Sequence, residues 1–404
     1  VLPAPLDRLD ALLPPNVARV AARETPIPTL ALRAKAAADK NPRLVRGDIG
    51  QIVGVEPDLE VLYGPPVGLE TLRAAIAETY SLAFGVGGLG PANVTVCTGA
   101  AEGLSLVLEC FARDKRVGLP RGHWENYTNA VELGGGEAVI VDYFDAEGRL
   151  DGAGLASRIR SDGLAVLVAN FPCNPTGAVL DAEESETLAQ VAKDTGVVLV
   201  ADEVYARLRY DGKPPVSLLR YAPGHAISIG SASKEYLLPG ARVGYVVSAQ
   251  SRLTDVVLRK LLRAHTASPS VLGQTRLLAH LTKDLEDLRA GREPALFTRI
   301  RNAMELRRDL LLAVLTKHGF GTTGRAKHKP EGTIFLMATL PSWWTGSDAE
   351  FVERALEAGC VSGIPGEAFG LPGSVRFSYG AMTPGDIARL GENLGLFRAE
   401  LGGA

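Results

Sequence analysis

Short runs of β-branched and aliphatic residues alternate along most of this chain with longer stretches repeating at helical spacing. Val94-Thr-Val-Cys-Thr98, Ala138-Val-Ile-Val-Asp142, Leu164-Ala-Val-Leu-Val-Ala-Asn170, Val197-Val-Leu-Val-Ala-Asp202 and Ala226-Ile-Ser-Ile-Gly230 read as strands. They are apolar almost throughout rather than at every second residue, the pattern of a sheet covered on both faces. Between them, Leu69, Leu72, Ile76 and Tyr80 fall on one face of a helix over 69–83. Strand and helix in this rhythm predict an α/β architecture, a mostly parallel sheet wrapped by helices.

From about Glu293 the pattern changes. A long amphipathic helix (Phe297–His318) precedes strands near Thr333–Leu340 and Ser374–Tyr379, and a helix over Thr383–Arg398 follows. This is the pattern of a smaller α+β domain. The expected division is an N-terminal arm with part of the small domain over 1–47, a large domain over 48–290, and the rest of the small domain over 291–404. A length of 404 residues suits one large core and a smaller one. Pro3, Pro5, Pro14, Pro15, Pro26 and Pro28 make the beginning read as an extended arm.

Composition narrows the function classes. Apolar residues make up 46% and charged residues 22%, ordinary values for a globular chain, which argues against disorder or a disulfide scaffold. Forty-three basic and 46 acidic residues leave a formal charge of −3, so neither nucleic acid nor a membrane surface is an expected partner. The four cysteines (Cys97, Cys110, Cys173, Cys360) have no CxxC spacing and suit a reducing cytoplasm. The beginning has no basic, then apolar, leader pattern, and the apolar runs fall far short of the roughly 20 residues that span a bilayer. A soluble cytoplasmic protein is expected.

Some motifs fail in context. Gly85-Val-Gly-Gly-Leu-Gly90 matches GxGxxG, but a helical pattern precedes it and a strand follows, the reverse of a dinucleotide site. The acceptor sequences at Asn93 and Asn126 mean nothing for glycosylation in a cytoplasmic protein. The six histidines form no HExxH pair. Metal and nicotinamide chemistry are set aside.

Four segments gather polar residues at the ends of expected strands, where ligands bind in α/β sheets. They are Asn170-Phe-Pro-Cys-Asn-Pro-Thr-Gly177, Ala201-Asp-Glu-Val-Tyr205, the stretch from Ser231-Ala-Ser-Lys234 to Pro239-Gly-Ala-Arg-Val-Gly-Tyr245, and Ser374-Val-Arg-Phe-Ser-Tyr379. A lone lysine is ordinarily a surface residue, and an aspartate at a strand end is often a helix cap. Their order, Asn174, Asp202, Tyr205, Lys234, Arg242, fits one ligand, pyridoxal 5′-phosphate. A lysine amine can form an imine with its aldehyde. An aspartate can keep its pyridine nitrogen protonated, so that the ring becomes an electron sink. Tyrosine and asparagine can donate to its phenolate oxygen, and serines, an arginine and a helix N-terminus can hold its phosphate. A second arginine in the small domain can grip an α-carboxylate in bidentate fashion.

With Tyr63-Gly-Pro-Pro-Val-Gly-Leu69, Thr98-Gly-Ala-Ala-Glu102 and Pro365-Gly-Glu-Ala-Phe-Gly370, these segments make the chain resemble the fold-type I, class I/II pyridoxal-phosphate aminotransferases. It is similar to their bacterial aspartate aminotransferase subgroup from about Asp48 onward. The resemblance implies a seven-stranded sheet in the large domain and the following roles. Lys234 would bind the cofactor and later act as general acid and base. Asp202 would pair with the pyridine nitrogen; Tyr205 and Asn174 would bond the phenolate oxygen. Trp124 would stack on the ring, a core tryptophan being the alternative. Ser231, Ser233, Arg242 and the backbone of Gly99, Ala100 and Ala101 would hold the phosphate. Tyr63 would reach the neighbouring subunit's phosphate, which implies a homodimer. Arg376, helped by Asn174 and Gly50, would bind the substrate carboxylate. An amino acid and a 2-keto acid would then react in turn by a ping-pong mechanism.

The sequence departs from the subgroup in two places. Ala101 stands where relatives that act on acidic amino acids can carry a lysine, and Asp48-Ile-Gly-Gln51 replaces a Gly-x-Pro-Asp sequence. With Glu56 and Glu125 as further candidates to face a substrate side chain, a neutral or cationic donor, of guanidino type in a specialised pathway, is expected. The rival reading on the same scaffold is a lyase, decarboxylase or oxidase. A regulator would need a DNA-binding domain that the first 47 residues do not suggest.

Overall fold

Seven strands build the first sheet of the computed structural model, which describes residues 5–23, 36–37, 39–40, 61–322 and 329–402. In chain order they are β1 (Val94–Cys97), β2 (Arg116–Pro120), β3 (Glu137–Val141), β4 (Leu164–Asn170), β5 (Val198–Asp202), β6 (Ala226–Ser231) and β7 (Gly244–Val247). The spatial order is β1-β7-β6-β5-β4-β2-β3, with β7 antiparallel to both neighbours and the other pairings parallel. Both faces are covered. Leu167, Ala169, Leu199 and Ala201 enter one apolar cluster, whereas Val166, Val168, Val198 and Val200 enter another. This explains the unbroken apolar runs.

Two strands escape the hydrophobic pattern. Arg116-Val-Gly-Leu-Pro120 carries a glycine and a proline, which mask a strand. Gly118 packs closely there: a Cβ would lie 2.8 Å from Leu167 Cδ1, so the leucine would have to shift. Strand β7 starts within the Pro239–Tyr245 motif and runs on to Val247.

The second sheet is antiparallel, in the order β10 (Ile364–Pro365), β11 (Ser374–Ser378), β9 (Phe335–Thr339) and β8 (Gly321–Thr322). Helices Ala295–Lys317 and Pro384–Gly402 pack on it through Leu311, Leu315, Leu390, Leu394 and Phe397.

Residues 5–23 are largely helical where an extended arm is expected. Pro15 opens a helix over Pro15–Ala22, a position where its missing N–H does no harm. Leu9, Leu13, Val17 and Ala21 recur every four residues and bury in the large sheet's cluster with Leu253, Val257 and Leu261. Gly85–Gly90 lies between the Glu70–Phe84 helix and β1, as a turn. Among the described residues no helix is long and apolar enough to cross a membrane, and no His/Cys/Asp/Glu group could hold a metal ion.

Candidate active site

A cavity of about 480 Å³ opens at the carboxyl ends of β4, β5 and β6, closed on its far side by β9 and β11. Ala100, Ala101, Trp124, Asn174, Asp202, Tyr205, Ser231, Ser233, Lys234, Arg242 and Arg376 all line it. Gly99 borders it beside Arg242. Gly50 lies outside the described residues, with Asp48, Gln51 and Glu56. Tyr63 stands outside the cavity and is 71% exposed.

Lys234 sits on one helical turn, Ala232–Glu235, that follows β6 directly. Ser231 caps this turn, its Oγ accepting the Ser233 N–H at 3.1 Å and donating to Ser233 Oγ at 3.0 Å. Burial, aided by the charges of Arg376 and Arg242, lowers the Lys234 pKa. That shift favours a neutral amine, the form that attacks a carbonyl.

Asp202 ends β5, directly opposite Asn170 at the end of β4. Burial pushes its carboxyl up to about 6, opposed by the Tyr127 hydroxyl, which donates to Oδ2 at 2.6 Å. A hydrogen bond to a charged group contributes about 1.5–3 kcal/mol, enough to hold this carboxylate in one orientation. Asn170 works at the same strand end: its Nδ2 donates to Asp202 O at 3.0 Å, and its Oδ1 accepts the Asn174 N–H at 2.8 Å.

At one end of the cavity, Gly99 (φ 85°) caps the Ala100–Phe111 helix. A Cβ on Gly99 would lie 2.4 Å from Arg242 Nη2, and one on Gly244 would lie 2.3 Å from Ala100 N. Only glycine at both positions lets the arginine and β7 close on the helix start. Arg242, itself at φ 52°, is anchored by donating to Pro239 O at 3.0 Å. Unpaired helix N–H groups beside a guanidinium suit a phosphate.

At the other end, Arg376 on β11 lies between the rings of Phe335, 4.4 Å away, and Phe369, 4.8 Å away. Its Nη1 donates to Asn174 Oδ1 at 3.1 Å, while its buried Nε has no partner. Burial pulls the Arg376 pKa down; Tyr205 and then Glu125 oppose this through their charges, which places both within electrostatic reach. A guanidinium with unspent donors in an aromatic slot is ready for a carboxylate.

Sequence reasoning missed Tyr127, Phe335 and Phe369. Tyr127 carried a signal. It belongs to the same His-Trp-Glu-Asn-Tyr127 segment as Trp124, and the two rings meet edge-on with centroids 5.8 Å apart.

The cavity fits pyridoxal phosphate from end to end: an amine, a buried carboxylate held by a tyrosine, a phosphate cradle that a Cβ would fill, and a carboxylate clamp. Fold and cavity together define a pyridoxal-phosphate-dependent enzyme of fold type I. The family described as Aminotransferase class I and II matches residues 55–394. The aspartate/prephenate aminotransferase of Thermus thermophilus is 33% identical over 319 residues, 78% of each chain. The aspartate aminotransferase of Bacillus subtilis is 28% identical, over 88% of this chain and 92% of that one. Among solved structures, the Thermus thermophilus aspartate aminotransferase with maleate superposes with a TM-score of 0.74 at 27% identity, covering 93% of this chain and 97% of that one. The chain belongs to the class I and II aminotransferases, and is a pyridoxal-phosphate-dependent transaminase.

Proposed function

We propose that this transaminase takes neutral or cationic L-amino acids as donors and passes the amino group to a 2-keto acid by a ping-pong sequence. The observation that carries the donor class is the use of cations in the cavity. Its lining among the described residues holds three, Lys234, Arg242 and Arg376. Each is spoken for, by the cofactor aldehyde, the phosphate and the α-carboxylate. No fourth described cation is left in that lining for a distal carboxylate; Ala101 occupies the position where a lysine would serve, and Glu125 adds an exposed acid nearby. The relatives' names range over aspartate, prephenate and aromatic amino acids, so membership of the family leaves the side chain open.

In this reading the cofactor, when bound, supplies an electron sink for the pair released at the substrate α-carbon. Lys234 holds the cofactor, then carries the proton from the α-carbon. Asp202, oriented by Tyr127, keeps a proton on the ring nitrogen. Tyr205 and Asn174 donate to the ring oxygen, and Trp124 covers one face. Ser231, Ser233, Arg242 and the backbone from Gly99 to Ala101 hold the phosphate. Arg376 orients the donor by its carboxylate and leaves the side chain to the cavity wall.

The test is a half-reaction without keto acid, followed by the absorbance of the bound cofactor. Neutral amino acids or arginine should convert the pyridoxal form to the pyridoxamine form, with aspartate and glutamate at least about tenfold slower in kcat/KM, the size of effect expected from an unpaired buried charge. Ala101→Lys should narrow that gap. Aspartate or glutamate as the fastest donors would sink the proposal.

We further place the enzyme in a reducing cytoplasm, which four buried, free cysteines support, and read it as a homodimer. Val61, Leu62, Tyr63 and Leu272 are exposed, and the two segments that carry them adjoin where Gly64 meets Val271, which supports a face that a second copy covers. Sedimentation of the holoenzyme should return twice the mass of the chain; a monomer would refute the dimer and the shared role of Tyr63.

A further inference from the structure

The ladder aligning β5 with β6 ends at the Asp202–Ile229 pair, extended by the Glu203 N–H donating to Ile229 O at 2.9 Å. Tyr205 and Lys234 both lie beyond that end. Past it β5 turns away, β6 runs on to Ser231 against β7 before its own turn, and a side chain rejoins the two turns. Glu235 Oε1 accepts the Arg207 N–H at 2.9 Å. Glu235 immediately follows Lys234, and Arg207 lies two residues after Tyr205. The turn that carries Tyr205 is closed by Ala206 N–H to Glu203 O at 2.9 Å and Leu208 N–H to Tyr205 O at 2.8 Å, so it moves as a unit.

The Arg207 guanidinium faces elsewhere. It lies over the Phe297 ring at 4.3 Å and 3.9 Å from Asp284, whose carboxylate also accepts the Tyr236 hydroxyl at 2.8 Å. Glu235 is only 3% exposed. Burial pushes its carboxyl up to about 7, with Glu203 and Asp284 acting in the same direction and Arg207 against it. An acid so enclosed is unfavourable unless its oxygens are used.

We propose that Glu235 is a positioning residue whose hydrogen bond to the Arg207 amide fixes the separation between the Tyr205 hydroxyl and the Lys234 amine. It rests on the roles given above, in which those two groups serve neighbouring substituents of one ring. Hydrogen bonds weaken steeply with misalignment, so drift of one turn past the other degrades the Tyr205 contact first. A donor on the ring oxygen draws off negative charge that would otherwise retain a proton at the Lys234 nitrogen. Loosening it raises the pH at which that proton leaves.

The experiment titrates holoenzyme variants with pH, following the bound cofactor's absorption band, with a thermal midpoint recorded for each. Glu235→Gln keeps an acceptor oxygen for the Arg207 amide, and its titration midpoint should match the parent. Glu235→Ala and Glu235→Leu should move upward in the direction of Tyr205→Phe, by about one pH unit. Tyr205→Phe added to Glu235→Leu should bring little further change, because both act through one contact. Leucine fills the volume with no charge to bury, so it answers the question if the alanine variant does not fold. An unmoved midpoint in folded Glu235→Leu overturns the proposal. An equal shift in Glu235→Gln also overturns it, since charge rather than the bond would be responsible. If Tyr205→Phe itself moves nothing, the role of Tyr205 is what fails.

Discussion

Lys234→Ala is expected to remove at least about four orders of magnitude from the half-transamination rate, because in the proposed mechanism one side chain supplies both the cofactor attachment and the proton carrier. The loss should fall on kcat, with donor affinity largely kept, since Arg376 and Asn174 are untouched. Lys234 also shares its surroundings with Arg242 and Arg376, whose charges help lower its pKa. Removing it relieves that repulsion, so the apoprotein should melt no lower than the parent. The checks are single-turnover kinetics, a thermal scan, and addition of a small primary amine, which should restore part of the rate by replacing the missing base. Full activity in a folded Lys234→Ala protein would remove the basis of the whole site assignment.

Asp202→Asn is expected to lower kcat about a thousandfold with little change in fold, the effect of deleting one preorganised electrostatic partner. Asparagine keeps the size of the side chain, and its carbonyl oxygen can still accept from Tyr127, which bonds Oδ2 at 2.6 Å in the parent. What it lacks is the charge that, in the proposed mechanism, keeps a proton on the ring nitrogen, and without that proton the ring is a poor sink. Tyr127→Phe should give a smaller loss in the same direction, because it removes only the group that aims the carboxylate. Rates for the three proteins, measured with one donor, check this order. An Asp202→Asn enzyme within tenfold of the parent would remove Asp202 from the chemistry.

Much of the site is legible in the chain because its residues cluster in short local motifs. Asp202 ends a run of valines and leucine, and Ser231 and Lys234 follow the next strand within four residues. Parallel strands bring their carboxyl ends together, so residues at several strand ends are forced into one crevice whatever their separation in sequence. Of the strands that went unread, β2 has its apolar pattern broken by Gly118, packed against Leu167, and by Pro120, while β7, β8 and β10 are only two to four residues long, too short for a pattern to show.

Five of the seven strands of the first sheet, the motif order and the placing of Lys234 at a strand end were thus determined by the sequence alone, because apolar periodicity and strand-end chemistry are local properties. Tertiary structure decided the rest. That Tyr127 meets Asp202 across 75 positions, that Arg376 lies between Phe335 and Phe369, that Glu235 ties its turn to Arg207, and that residues 5–23 fold into helices on the large sheet depend on which elements pack side by side. Such contacts join residues far apart in the chain, and no short pattern along it records them.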